Sequence, residues 1–119
     1  MTEDELSALA SEFKKYLSGT PTESLFGRDE LYDHQHTLPL VRMEEVRHVH
    51  LAEPGVPWRP GLPQHRRTSD HHLVYSQGAL NEDMYLMIAV LSPDAHEQAR
   101  DNSIMYNIGR EAEIFRQQF

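Results

Sequence analysis

His72-Leu73-Val74-Tyr75-Ser76-Gln77, then Gly78-Ala79-Leu80-Asn81-Glu82-Asp83, then Met84-Tyr85-Leu86-Met87-Ile88-Ala89-Val90-Leu91: this stretch decides the fold. Two short runs of strand-forming residues flank a gap of turn formers, the pattern of an antiparallel hairpin. The second run, Met84–Leu91, is apolar at nearly every position, which predicts an inner strand covered on both faces. Upstream, Val46-Arg47-His48-Val49-His50-Leu51 alternates apolar and polar residues and predicts another strand. The apolar run Leu38-Pro39-Leu40-Val41-Arg42-Met43 precedes it.

Helices bracket these strands. Leu6, Leu9, Ala10, Phe13, Tyr16 and Leu17 recur at helical spacing, with Thr2 and Glu5 placed as a capping box and Gly19 with Pro21 as the stop. Ser92-Pro93-Asp94 predicts a second helix start, with Ser92 as N-cap and Pro93 in the first turn. Ile104, Ile108, Ala112, Phe115 and Phe119 form the apolar stripe of a final helix, and Asp101-Asn102 marks a break before it. Phe26-Gly27-Arg28-Asp29 reads as a turn, with Arg28 and Asp29 tied to the fold. Residues 53–64 carry four prolines and two glycines and read as a loop. The expected class is α+β, an antiparallel sheet packed with N-terminal and C-terminal helices, in one domain spanning 1–119.

The chain has no cysteine, hence no disulfide framework and no thiolate metal site. No apolar run approaches the roughly 20 residues that span a bilayer. Met1-Thr2-Glu3-Asp4-Glu5 is acidic where a signal peptide is basic, so a cytoplasmic location without membrane association is expected. A formal net charge of −8 argues against a nonspecific nucleic-acid binder. The charge is uneven, however. Residues 34–75 hold four acids against five arginines and seven of the eight histidines, whereas both flanks are acidic. An anion-binding surface is therefore expected from the middle of the chain.

The densest candidate is His65-Arg66-Arg67-Thr68-Ser69-Asp70-His71-His72. Arginine binds phosphate through a planar fork that keeps its charge, and histidine exchanges protons near neutral pH. Neighbouring residues on a strand face opposite ways, so His71 and His72 cannot both serve one site. His96 and Arg100 form a second group, four residues apart on the expected helix and near its N-terminus, where free amides favour a phosphate. The ordinary alternatives are a solvated strand entrance and an exposed helix pair. His48 and His50 share a strand face, as do His34 and His36 if extended. Such His-x-His pairs can chelate zinc, but no third ligand stands at a recognisable spacing, so no metal ligand or cofactor is expected. Tyr75, Tyr85 and Tyr106 are stacking candidates that more often belong to a core. Trp58 is either a partner contact or the anchor of its loop.

Taken in order, several stretches resemble the YafO toxins. They are Phe26-Gly27-Arg28-Asp29 with Leu31-Tyr32-Asp33, Pro39-Leu40, and His48-Val49-His50-Leu51-Ala52. Further along come Arg67-Thr68, Asp70, His72-Leu73-Val74-Tyr75, Gln77-Gly78-Ala79 and Ile88-Ala89. The set ends with Pro93, His96, Ala99-Arg100-Asp101-Asn102, Met105, Ile108-Gly109 and Phe115. Leu38 stands where the family pattern has tryptophan. The resemblance covers residues 26–119 and implies a ribosome-dependent mRNA interferase of a type II toxin–antitoxin pair. Implied partners are a cognate antitoxin, the large ribosomal subunit and mRNA, and the implied fold is RelE-like.

On this reading the 2′-hydroxyl of the RNA attacks the adjacent phosphate without a metal and leaves a cyclic phosphate. His72 and His96 are the expected acid and base. Arg67 and Arg100 stabilise charge and Asp70 orients a neighbour. Arg66, His65, Tyr75, His50 and Asn102 are the expected RNA-binding group. The alternatives are a noncatalytic blocker bound to the ribosome and a histidine-rich metal hydrolase.

Overall fold

The computed structural model describes residues 1–19 and 25–119. Pro21, part of the expected stop of the first helix, lies outside the described residues. Helix α1 covers Glu3–Leu17, with the Thr2 hydroxyl accepting from the Glu5 N–H (3.1 Å), and it ends in a cap at Ser18. Strand β1 (Phe26–Leu31) follows, then a one-turn helix α2 (Pro39–Met43) with Pro39 in its first turn, then β2 (Arg47–Leu51). After the loop comes a 3-10 turn at Gln64–Arg66, then β3 (His72–Gln77) and β4 (Tyr85–Leu91). A single turn α3 (Ala95–Gln98) leads into the long α4 (Asn102–Gln118), capped by Asp101 through the N–H groups of Ser103 and Ile104. The four strands form one antiparallel sheet in the order β1-β2-β3-β4. The expected α+β class with terminal helices is thus observed.

The sheet separates two cores. On one face, Leu73 and Tyr75 of β3 and Val49 and Leu51 of β2 pack with Leu9 and Phe13 of α1. On the other, Val74 and Leu91 pack with Val41 and with Met105, Ile108 and Ala112 of α4. Each buried side chain of this size contributes roughly 1.5–3 kcal/mol. Residues of alternate parity supply each face, as a period of two requires.

Three expectations are corrected. Phe26-Gly27-Arg28-Asp29 is strand, not turn. Gly27 is required because the chain before β3 approaches closely: a Cβ there would stand 2.3 Å from the Arg67 carbonyl and 3.0 Å from Trp58. The Arg28 N–H donates to that carbonyl (2.9 Å), and β1 bulges between Phe26 and Asp29. Strand β4 is an edge strand, not an inner one. It is apolar throughout because both cores reach it, Tyr85, Met87 and Val90 on the α1 side and Ile88 and Ala89 on the α4 side. The register shift opposite Val74/Tyr75 puts the consecutive Ile88 and Ala89 on one side. Asp94, in the left-handed conformation (φ 61°), and not Ser92, holds the N-cap position of the helix start after β4, and its side chain makes no capping bond.

One carboxylate links the elements on the α1 face. Asp29 accepts from the Tyr16 hydroxyl (2.6 Å), the Tyr75 hydroxyl (2.6 Å) and Arg47 Nε (3.2 Å). These contacts join α1, β1, β2 and β3. Asp29→Ala leaves one buried and one half-buried hydroxyl and a guanidinium without their shared acceptor, at an expected loss of about 2 kcal/mol. Urea denaturation of the variant checks this, and an unshifted midpoint would refute it.

Candidate functional site

The antiparallel register places three histidines on the sheet face opposite α1. His50 lies directly across from His72, and His48 lies across from Val74. His48, His50 and His72 are 7%, 3% and 2% exposed. Their rings are in contact: His50–His72 centroids are 4.2 Å apart and His48–His72 are 4.9 Å apart. Tyr32 stacks on His48 at 4.1 Å. This is the sheet analogue of an i, i+4 pair, with ring partners set by register.

Ser69 organises the rim of the cluster. Its N–H donates to His50 Nδ1 (2.8 Å), and its carbonyl faces the same nitrogen at 3.0 Å. That carbonyl also accepts from His72 Nε2 (3.2 Å). The Ser69 hydroxyl donates to the Leu51 carbonyl (2.5 Å), fixing the chain at the end of β2. Asp70 comes next and holds α3. Its carbonyl accepts from the Ala95 N–H (3.1 Å). Its Oδ1 accepts from the His96 N–H (2.9 Å) and from His96 Nδ1 (2.8 Å). The His96 ring, exposed to solvent, meets His72 edge-on at 5.2 Å.

These contacts set the electrostatics. Burial, reinforced by the neighbouring His72 and His50, pushes His48 down to about 3. Burial and the charges on His50 and His96 push His72 down to about 4, and burial also lowers His50. The His96 backbone N–H, then its ring, hold Asp70 below the usual carboxylate range. Among the described residues His72 Nδ1, His48 Nδ1, the Tyr32 hydroxyl and the Ser76 hydroxyl are buried without a hydrogen-bond partner.

The remaining sequence candidates spread around this centre. Arg67 is half-buried and its Nε donates to the Leu62 carbonyl (2.8 Å), which anchors the loop and leaves its other N–H groups for an anion. Arg66, His65, Arg100 and Asn102 are exposed. Trp58 is half-buried against Gly27 and anchors its loop.

Several expectations change. Tyr75 lies under α1 on the far side of the sheet, bonded to Asp29, so it cannot stack on RNA. His50 is a buried wall of the cluster, not an RNA contact, because its ring is enclosed between Ser69 and His72. Helix α3 ends at Gln98, so His96 and Arg100 do not share a helix face. Its first amides are already taken by Asp70 and offer a phosphate nothing. His71 turns away, its Nδ1 bonded to the Ser92 hydroxyl (2.5 Å). The sequence reading missed Ser69 and Glu30. Glu30 Oε1 stands 3.6 Å from His48 Nε2, but it lies on β1, which had been read as a turn running into unassigned residues.

The depressed histidines predict an acid-sensitive fold. Histidines in the unfolded chain take up protons near the ordinary value of 6.5, whereas folded His48 and His72 resist until about 3 and about 4. The unfolded state therefore binds more protons in that window, and stability falls as pH drops. Urea midpoints measured with chelator present are expected to be level above about pH 7 and to decline from about 6.5 to 4. A midpoint unchanged across that window would contradict the burial of these rings.

Comparison with known proteins agrees with the resemblance in the sequence. A family model for toxin YafO of type II toxin–antitoxin systems matches residues 14–117. The mRNA interferase toxin YafO of Escherichia coli (strain K12) is similar, being 47% identical over 120 residues that cover 100% of this chain and 91% of that protein. No solved structure gives a significant match. With almost its whole length matched by the family and nearly half its residues shared with that relative, the chain belongs to the YafO family of type II toxin–antitoxin toxins.

Proposed function

We propose that this chain is a ribosome-dependent endoribonuclease that cleaves translated mRNA and so stops protein synthesis, and that a cognate antitoxin neutralises it. The observation that carries the reading is the Asp70–His96 pair against the His72 ring, in a chain 47% identical to an mRNA interferase toxin. A carboxylate bonded to one imidazole nitrogen fixes the ring, leaving the other nitrogen to exchange a proton with a substrate.

In the reaction, the ribose 2′-oxygen attacks the adjacent phosphorus as the bond to the 5′-oxygen breaks, giving a 2′,3′-cyclic phosphate and a 5′-hydroxyl. His72 accepts the 2′ proton. Burial keeps it a neutral imidazole, and with Nε2–H given to Ser69 the free lone pair is on Nδ1. His96, its ring held by Asp70, donates a proton to the departing 5′-oxygen. A buried ring and an exposed, carboxylate-held ring suit one base and one acid. Arg67 and Arg100 would stabilise the phosphoryl oxygens, with Arg66, His65 and Asn102 contacting the flanking RNA. No step requires a metal.

His72 Nδ1 is closed to solvent in the free protein, so RNA reaches it only when docking shifts its surroundings. Catalytic contacts of this kind often form only in the complex. An acidic chain, of net charge −8, equally depends on the large ribosomal subunit to bring it mRNA, and the proposed activity is cytoplasmic.

Cleavage assays on translating ribosomes test this. His96→Ala and His72→Ala are each expected to lose roughly 100- to 10,000-fold in rate, and Asp70→Asn less than either. Chelator should leave the wild-type rate unchanged, and naked RNA should be cut poorly. Translation arrest without new mRNA 5′ ends would overturn the reading in favour of a ribosome-binding blocker.

A further inference from the structure

Outside the proposed reaction, the same face of the sheet holds a second constellation. Glu30 of β1 and His48 and His50 of β2 bring one ligand atom each to within 4.8 Å of one another. His48 Nε2 and a Glu30 oxygen already stand 3.6 Å apart. Neighbouring ligands of a tetrahedral zinc, at metal–ligand distances near 2.0–2.1 Å, are separated by about 3.4 Å. We propose that Glu30, His48 and His50 form a binding site for a divalent cation of the zinc class.

Four features of the chain support this. The two histidines are two residues apart on one strand, so they project from one face, and strand pairing sets Glu30 directly across from His48. Both rings are buried, and His48 Nε2, the nitrogen that faces Glu30, stands 3.6 Å from its carboxylate, beyond hydrogen-bond distance. The outer contacts are also in place. The Ser69 carbonyl, 3.0 Å from His50 Nδ1, is the acceptor for the tautomer that frees Nε2 for a metal, in which that nitrogen donates to the carbonyl and no longer accepts from the Ser69 N–H. Arg28 Nε binds the other Glu30 oxygen at 3.0 Å and steadies the carboxylate. Two imidazoles and one carboxylate suit zinc, whereas magnesium prefers an all-oxygen shell. A bound ion cross-links the edge strand β1 to β2 and leaves a fourth position for water or an exogenous ligand.

Titration calorimetry of the full, untagged, metal-free chain with zinc chloride in the absence of RNA tests the site. One tight equivalent is expected, with a matching rise in melting temperature. Glu30→Gln, on a half-exposed side chain and checked for folding by circular dichroism, should weaken that equivalent at least about tenfold. The exposed pair His34 and His36 is the control, and His34→Ala with His36→Ala should retain it. Magnesium should not displace the zinc. Absence of a tight equivalent, the same affinity in Glu30→Gln, or its loss in the His34/His36 variant would overturn the proposal. The measurement involves no RNA, so a failed ribonuclease assay leaves its outcome untouched.

Discussion

The Asp29 carboxylate, placed between two tyrosine hydroxyls and the Arg47 guanidinium, is the interaction on which the rest of the sheet depends. A half-buried carboxylate is costly unless its oxygens are satisfied, and here partners from α1, β2 and β3 all converge on it. That convergence holds the edge strand β1 in one register. Because successive side chains alternate, fixing Asp29 on the α1 face puts Glu30 on the other, across from His48. A slip of one residue would exchange the two carboxylates between faces, stranding Glu30 in the tyrosine network and removing it from the histidines.

The histidine face is an expensive use of a sheet. Three imidazoles, a tyrosine hydroxyl and a serine hydroxyl occupy ground that apolar side chains would fill more favourably, and several of their polar atoms have no partner among the described residues. Unsatisfied buried polar groups mark places where folding alone does not explain the sequence. Beside them the Asp70–His96 pair sits in solvent, fixed by backbone and side-chain bonds to a single carboxylate oxygen. A buried neutral ring against an exposed, carboxylate-held ring is an asymmetric arrangement, and that asymmetry supports separate proton-transfer roles.

Much of the frame was legible in the chain itself. The α1 and α4 stripes, the Thr2 cap, the break at Asp101-Asn102, the β3–β4 hairpin and the alternating β2 follow from local periodicity and turn chemistry, which act within a few residues. Phe26–Asp29 was misread because a glycine followed by charged residues resembles a turn. What requires Gly27 is the Arg67 carbonyl, some forty positions on. The reading of β4 as an inner strand failed for a related reason: burial on both faces comes from the helices above and below, not from a strand on each side.

The sequence by itself determined the types of α1, β2, β3, β4 and α4, the placement of His48 and His50 on one strand face, and the concentration of arginine and histidine in residues 34–75, since period, caps and composition are local properties. The family followed from the order of its motifs. Only tertiary structure decided which of these residues meet. Antiparallel register set His50 against His72, the turn after β4 carried His96 to Asp70, and β1 delivered Glu30 to His48. Tyr75, an RNA-contact candidate in the sequence, went to the opposite face, where Asp29 holds it. Long-range pairing makes these choices, because a residue's partners across a sheet are separated from it by chain whose length carries no local signal.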